Sequence, residues 1–158
     1  MFKRAVELIK PVSEVQLQAF YTDKFQLFDI IEVVLSQLGF CNQVVITSFS
    51  ISEEFLRKIY RFREKYKPGR IVLIRDTKAA AKVQKLNLFL KNSFDEVWLT
   101  NNHGKVVLFD SSIRVSICTS QNQTRGNRKE SHLISTCDEV FYSFYNSVDE
   151  MKQIAVRL

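Results

Sequence analysis

Apolar segments of strand length alternate with helical patterns through the middle of this chain, and that order restricts the fold more than any other feature. The segments are short, rich in Val and Ile, and bounded by polar or turn residues, which is typical of buried strands. They lie at residues 44–49, 70–75, 96–99, 106–109, 113–118 and 131–135. Strand and helix alternate first, and several strands then follow in succession. The sequence therefore predicts an α/β (mixed α+β) fold, a mixed sheet with helices on both faces.

Helices are predicted where apolar residues recur every three or four positions, as they do on one face of a helix. Gly39 and the Pro68-Gly69 turn end the first two, and Asp138 is the expected cap of the last. Ser50 and Ser52 are equally good caps for the second. The predicted helices span residues 24–38, 50 or 52 to 67, 78–90 and 138 onward. Residues 2–10 fit either a short helix or a strand.

The length and composition predict one domain over residues 1–158, since 46% apolar and 25% charged residues are ordinary for a globular protein. The chain contains no apolar run of membrane-spanning length, so membrane insertion is not expected. Three widely spaced cysteines, Cys41, Cys118 and Cys137, predict buried reduced thiols rather than disulfides or a zinc site. A cytoplasmic location is the corresponding expectation.

The net charge of +6 indicates a polyanionic partner, nucleic acid (DNA) first and anionic lipid second. Basic residues cluster over residues 57–91 and again at Arg125, Arg128 and Lys129. The later cluster either contacts phosphates of a nucleic acid or forms a solvated loop. The earlier one is better explained as the solvated face of a helix.

The stretch with the richest chemistry begins at His103, one of two histidines in the chain. His103, Lys105 and Asp110 follow the pattern H-x-K-x4-D around an apolar strand, and strand alternation would place the first two on one face. Ser120 and Asn122 follow the next strand, and Glu130 precedes the one after it. An imidazole, an ammonium, a hydroxyl, an amide and a carboxylate at neighbouring strand ends are groups suited to a phosphate ester.

These residues resemble the HKD motif of the phospholipase D superfamily, in which H-x-K-x4-D is followed by a Gly-Ser-x-Asn loop and a downstream acid. Residues 119–125 are similar to that loop in small bacterial nuclease-like members, and the resemblance covers residues 44–158. The chain departs from the pattern because Thr119 replaces the usual glycine, and because it has one motif where the family's active site uses two. Similarity to the short single-motif members therefore implies a homodimer with a shared site.

The resemblance also implies residue roles. His103 would attack phosphorus and form a phosphohistidine, while the same histidine of the second protomer would protonate the leaving oxygen. Lys105 and Asn122 would hold the phosphate oxygens, and Ser120 would add a hydrogen bond. Glu130 would orient the imidazole, although Asp138 or Glu139 are alternatives.

Asp110 is interpreted as a structural turn residue, and the mechanism needs no cofactor or metal. The resulting hypothesis is a metal-independent phosphodiesterase, a hydrolase acting as a non-specific endonuclease. The alternatives are a nucleic-acid-binding module without turnover and a lipid phosphodiesterase.

Overall fold

The computed structural model describes residues 1–80, 87–122 and 127–158. Its strands are β1 (Leu17–Thr22), β2 (Gln43–Ser48), β3 (Ile71–Asp76), β4 (Glu96–Thr100), β5 (Val106–Asp110), β6 (Val115–Thr119), β7 (Glu130–Ser135) and β8 (Val156–Arg157). Its helices are α1 (Phe2–Leu8), α2 (Leu27–Leu38), α3 (Glu53–Tyr66), α4 (Thr77–Ala80), α5 (Asn87–Ser93) and α6 (Asp138–Ile154). The strands form one mixed sheet in the order β1-β7-β6-β5-β2-β3-β4-β8.

The sheet has a parallel part and an antiparallel part. Strands β2, β3 and β4 run parallel to one another. The pairs β2–β5, β5–β6, β6–β7 and β7–β1 are antiparallel. The ends of β1, β2, β3, β4 and β6 and the starts of β5 and β7 consequently lie at the same end of the sheet. We call this end the carboxyl edge.

Helices cover both faces of the sheet, as the sequence predicts. Inward residues of α1, α2, α3 and α5 pack against one face, where they meet Val44, Ile46, Leu73 and Val107. On the other face, α6 packs over β4, β5 and β6. Adjacent residues of a strand point to opposite faces, so the consecutive apolar residues of the central strands contribute side chains to both cores.

The α/β fold with a mixed sheet is confirmed, but several boundaries differ from those predicted. Strands β1 and β8 were not expected, and residues 2–8 form a helix rather than a strand. Helix α2 begins at Leu27 because Gln26 and Asp29 form a reciprocal capping box there. Ser52, not Ser50, caps α3 through the N–H of Phe55. For α6 the cap residue is Cys137, so the cap predicted at Asp138 was wrong.

Two other expectations had mixed outcomes. The helix predicted over 78–90 falls partly outside the described residues, and α4 and α5 flank that gap. Of the three thiols, Cys41 is buried, but Cys137 is half-buried and Cys118 is exposed, so general burial was wrong. Within the described ranges no helix is both long and apolar enough to cross a membrane.

Candidate active site

The carboxyl edge brings together the polar residues that the sequence singled out. The N–H of Thr119 donates to the Lys105 carbonyl at 3.0 Å, which joins the end of β6 to the start of β5. The N–H of Ser120 donates to the Ser131 carbonyl at 3.1 Å, which joins the same point to β7. His103, Lys105, Ser120 and Glu130 therefore lie on three adjacent strand ends.

His103 and Lys105 lie in the loop immediately before β5 and not within a strand, so the alternation argument does not apply to them. They are nevertheless adjacent. The ammonium of Lys105 donates to the His103 carbonyl at 2.9 Å and lies 3.5 Å from Nδ1 of the imidazole. The ring of Phe49 packs beside the imidazole, with 5.0 Å between ring centroids. Among the described residues Nε2 has no hydrogen-bond partner, so this nitrogen is available to a ligand.

The residues on either side of His103 are held by hydrogen bonds from the parallel strands. The buried carboxylate of Asp76 accepts from the Asn102 N–H at 3.1 Å. The Asn102 side chain in turn accepts from the Gly104 N–H at 3.0 Å. A side chain at position 104 would place its Cβ 3.2 Å from that amide oxygen, so glycine allows this close approach.

Thr47 holds the same loop from β2. Its hydroxyl donates to the Gly104 carbonyl at 3.1 Å and accepts from the Val106 N–H at 3.0 Å. Neither Thr47 nor Asp76 was predicted from the sequence to belong to the site. Both are polar residues at or near the ends of buried parallel strands, which is where α/β sheets place their ligand sites, and that position was the available signal.

Glu130 is buried at the start of β7, where two side chains bind its carboxylate. Ser120 donates to one oxygen, and Arg128 donates from Nε to the other at 2.7 Å. Burial alone would raise the pKa of Glu130, but these two hydrogen bonds outweigh it and hold the pKa below its ordinary value. The predicted hydrogen bond from Glu130 to the imidazole of His103 is not present within the described part of one chain.

The loop after β6 is anchored by Gln121, whose side-chain oxygen accepts from the Leu27 N–H at 2.8 Å. The next predicted site residue, Asn122, is half-buried and has a buried side-chain oxygen without a hydrogen-bond partner. A terminal amide can present either an acceptor or two N–H donors at such a position, so Asn122 has unused capacity for a ligand. Arg125, predicted to bind nucleic acid, lies outside the described residues.

Thr119, which replaces the glycine of the resembling motif, is fully used in hydrogen bonding. Its hydroxyl donates to the Ser131 carbonyl at 3.0 Å and accepts from the Gln121 N–H at 3.0 Å. It also lies 2.8 Å from Nδ1 of His132, a residue only 2% exposed. The threonine therefore fixes the start of the Ser120–Asn122 loop through its side chain.

Because His132 is buried, we expect the folded protein to lose stability at mildly acid pH. Burial lowers its pKa to about 4, against 6.5 when exposed, so unfolded chains bind a proton that folded chains do not. The stabilisation is full above pH 6.5 and is lost as pH falls towards 4, by up to about 3 kcal/mol. Urea unfolding between pH 7.5 and 5 should show this decline. A His132→Gln variant, which removes this titrating group, should flatten it.

Of the remaining predicted residues, two lie beside this centre and one lies away from it. Arg128 and Lys129 are exposed beside Glu130. Asp110 lies at the other end of β5, where its carboxylate is 3.7 Å from Arg114. Within the described ranges, no group of three His, Cys, Asp or Glu side chains is placed to hold a metal ion.

Comparisons with known proteins identify the fold. No family model matches the chain, and no curated protein matches its sequence. A solved phospholipase D family member, Nuc from Salmonella typhimurium, matches with a TM-score of 0.67 at 14% identity, over 90% of this chain and 97% of Nuc. NucT from Helicobacter pylori matches with a TM-score of 0.69 at 15% identity, over 90% of this chain and 99% of NucT.

A third match is TrmBL2, an archaeal chromatin protein described as binding DNA. It has a TM-score of 0.64 at 10% identity, over 99% of this chain and 59% of TrmBL2. The first two matches extend over nearly the whole length of both partners. At such low identity the shared property is the arrangement of strands and helices, and this chain has the fold of phospholipase D family members.

Proposed function

We propose that this chain is a metal-independent phosphodiesterase that cleaves nucleic acid through a phosphohistidine intermediate in a homodimer. The observation that carries the proposal is the His103–Lys105 pair, which lies at the carboxyl edge next to Ser120 and Glu130. The imidazole has an unengaged nitrogen, and the ammonium two residues away can neutralise a phosphate oxygen.

The reaction divides into two displacements. In the first, the unprotonated Nε2 of His103 forms a bond to phosphorus, and the bond from phosphorus to the leaving oxygen breaks. That oxygen takes a proton from a second imidazolium. In the second displacement, a water molecule gives a proton to the second imidazole, which lost its proton in the first step. The oxygen of that water attacks phosphorus, and the N–P bond to His103 breaks. Lys105 and Asn122 stabilise the extra negative charge in both steps.

The second imidazole supports the homodimer. Each displacement needs one histidine as nucleophile and another as proton donor or acceptor, yet the chain contains only two. His132 is 2% exposed, and its Nδ1 already contacts Thr119, so it is not accessible to a substrate. A second copy of the chain would supply the missing group as its own His103, across a two-fold axis.

Nucleic acid is the proposed substrate because of charge. The chain carries +6, and Arg128 and Lys129 extend from the edge of the site into solvent. A polyanionic strand gains affinity from such residues through release of its counterions. The DNA-binding fold neighbour TrmBL2 is consistent with this choice.

The test is a cleavage assay with plasmid and single-stranded DNA in the presence of EDTA, using wild type and a Lys105→Met variant purified identically. Cleavage that survives EDTA and is lost in the variant supports the proposal. Equal cleavage by both preparations indicates a contaminating nuclease and contradicts it. Turnover of phospholipid in anionic vesicles without DNA cleavage would instead favour the lipid phosphodiesterase.

A DNA-binding module without turnover is the second candidate. It is favoured by the fold match to a chromatin protein and by Thr119, whose side chain occupies the position where glycine lets a backbone approach phosphate closely. Retained salt-sensitive DNA binding with no cleavage of DNA or of a small phosphodiester would establish this candidate.

A further inference from the structure

An exposed aromatic residue, Tyr21, lies on the edge strand next to the candidate site. We propose that Tyr21 and Lys129 form a subsite for one unpaired base and its phosphate, so that the enzyme favours single-stranded nucleic acid. This inference rests on the function proposed above and adds to it the form of the substrate. The strand register, the exposure of the ring and the charge beside it support this subsite.

Strand register places Tyr21 close to the site. In the antiparallel pair of β1 and β7, Tyr21 is opposite Ser131 and Thr22 is opposite Glu130. The carbonyl of Ser131 accepts the N–H of Ser120, and the carbonyl of Lys105 accepts that of Thr119. Lys105 precedes β5 and Tyr21 lies on β1, which is three positions away in the sheet, a separation of about 14 Å. A nucleic acid a few nucleotides long spans that distance.

The tyrosine ring is open to solvent. Tyr21 is 72% exposed, because α6 packs over β4, β5 and β6 and leaves the outer strands of the same face accessible. Leu133, which lies across from Ala19 on this face, is also exposed. Single exposed aromatic residues are common on protein surfaces. The relevant feature here is an aromatic ring at the carboxyl edge with the ammonium of Lys129 beside it.

The charge around the ring complements a nucleic-acid backbone. The ammonium of Lys129 lies 5.9 Å from the centre of the Tyr21 ring. In the turn beyond Tyr21, Lys24 and Asp23 are both exposed and their charges offset, so Lys129 is the cation that matters at the ring. The neighbouring Arg128 donates to the Glu130 carboxylate, whereas Lys129 forms no salt bridge with any residue that the structure describes. Lys129 can therefore contact a phosphate while the exposed ring receives a base.

The chemistry of this arrangement selects single strands. Bases in a duplex are stacked on both faces, whereas an unpaired base has a free face that can stack on an aromatic ring. Such stacking tolerates any base, so no sequence preference is required. Removing one stacking ring weakens single-strand binding by roughly tenfold or more.

The experiment compares wild type, Tyr21→Phe, Tyr21→Ala and Phe40→Ala. Phe40 is 60% exposed and lies beside Ser111 at the opposite edge of the sheet, so it is a matched control. Affinity for a fluorescent single-stranded oligonucleotide and for its duplex is measured by anisotropy at fixed salt. Tyr21→Ala should bind the single strand roughly tenfold more weakly. It should lose little affinity for duplex, and the Phe variant should resemble wild type.

Four results would overturn the subsite. They are wild-type affinity in Tyr21→Ala, an equal loss with Phe40→Ala, no binding of single strands by wild type, and a change in sedimenting mass caused by Tyr21→Ala. The last would mean that the face joins two copies of the chain. Hydrolysis of a small chromogenic phosphodiester by wild type tests the proposed function separately. If that reaction is absent, the catalytic proposal fails, whereas the binding comparison still decides the fate of the subsite.

Discussion

An alanine at position 103 is expected to lower the rate of phosphodiester cleavage by roughly 10⁴-fold or more. The substitution removes the nucleophile of the proposed reaction and should leave the fold intact, because His103 is exposed and interacts with the side chains of Lys105 and Phe49 at the surface. Steady-state cleavage of a labelled oligonucleotide measures the loss. Asn101→Ala, two residues earlier and also exposed, is the matched control and should retain activity.

Mixing subunits makes the same prediction specific to a shared site. If each site needs one His103 from each protomer, a dimer with one alanine copy is inactive, and activity falls with the square of the wild-type fraction after the subunits have exchanged. Independent sites would give a linear decline instead. Sedimentation that shows only monomers, under conditions in which the protein still cleaves DNA, would contradict the shared site.

Replacing Asp76 with asparagine is expected to reduce both activity and stability. The carboxylate accepts at one oxygen from the N–H groups of Lys78 and Ala79, at 2.8 and 3.4 Å, and at the other from Asn102. An amide has only one acceptor oxygen, so at least one of these backbone N–H groups must face the NH2 group of the asparagine. We expect a loss of about 1–3 kcal/mol in the free energy of unfolding. A displaced His103 loop should also lower kcat by about 100-fold.

Asp95→Asn separates the two effects. Asp95 also accepts a backbone N–H, that of Ile71 at 2.7 Å, and pairs with Arg63, but it lies at the opposite edge of the sheet. This control should lose stability without losing kcat. If Asp76→Asn behaves in the same way, the carboxylate supports the fold only and does not position the loop.

The central strands were predictable because their chemistry is local. Strands β2, β3 and β5 each contain three or four consecutive apolar residues, and that pattern does not depend on the rest of the chain. The edge strand β1 was not predictable for a specific reason. Its inward position near the start is Gln18, whose amide accepts the N–H of Lys10 and donates to its carbonyl. A buried polar residue whose hydrogen bonds go to the backbone of another segment cannot be recognised from an apolar pattern.

The candidate site shows the same division. His103, Lys105, Ser120 and Glu130 lie at the ends of strands that are close in sequence, so their spacing and the resemblance to a known motif were enough to group them. The contribution of Asp76 depends on β3 lying two strands from β5, which only the order of the sheet establishes. The pairing of Glu130 with Arg128 is a choice among several nearby charges, and no pattern in the sequence distinguishes it.

The pairing of β1 with β7 has a consequence for how the molecule folds. The outermost pair on this side of the sheet joins the first strand of the chain to the last strand before α6. This contact closes a loop that contains most of the sequence. Contacts of such long range form late, because the entropy of closing the loop opposes them until other structure exists. We expect refolding in milliseconds to seconds, as for other sheets built from distant strands. A chain in which β1 has not yet paired would present β7 as an unpaired edge carrying Leu133, and we expect such a chain to aggregate more readily than the folded one.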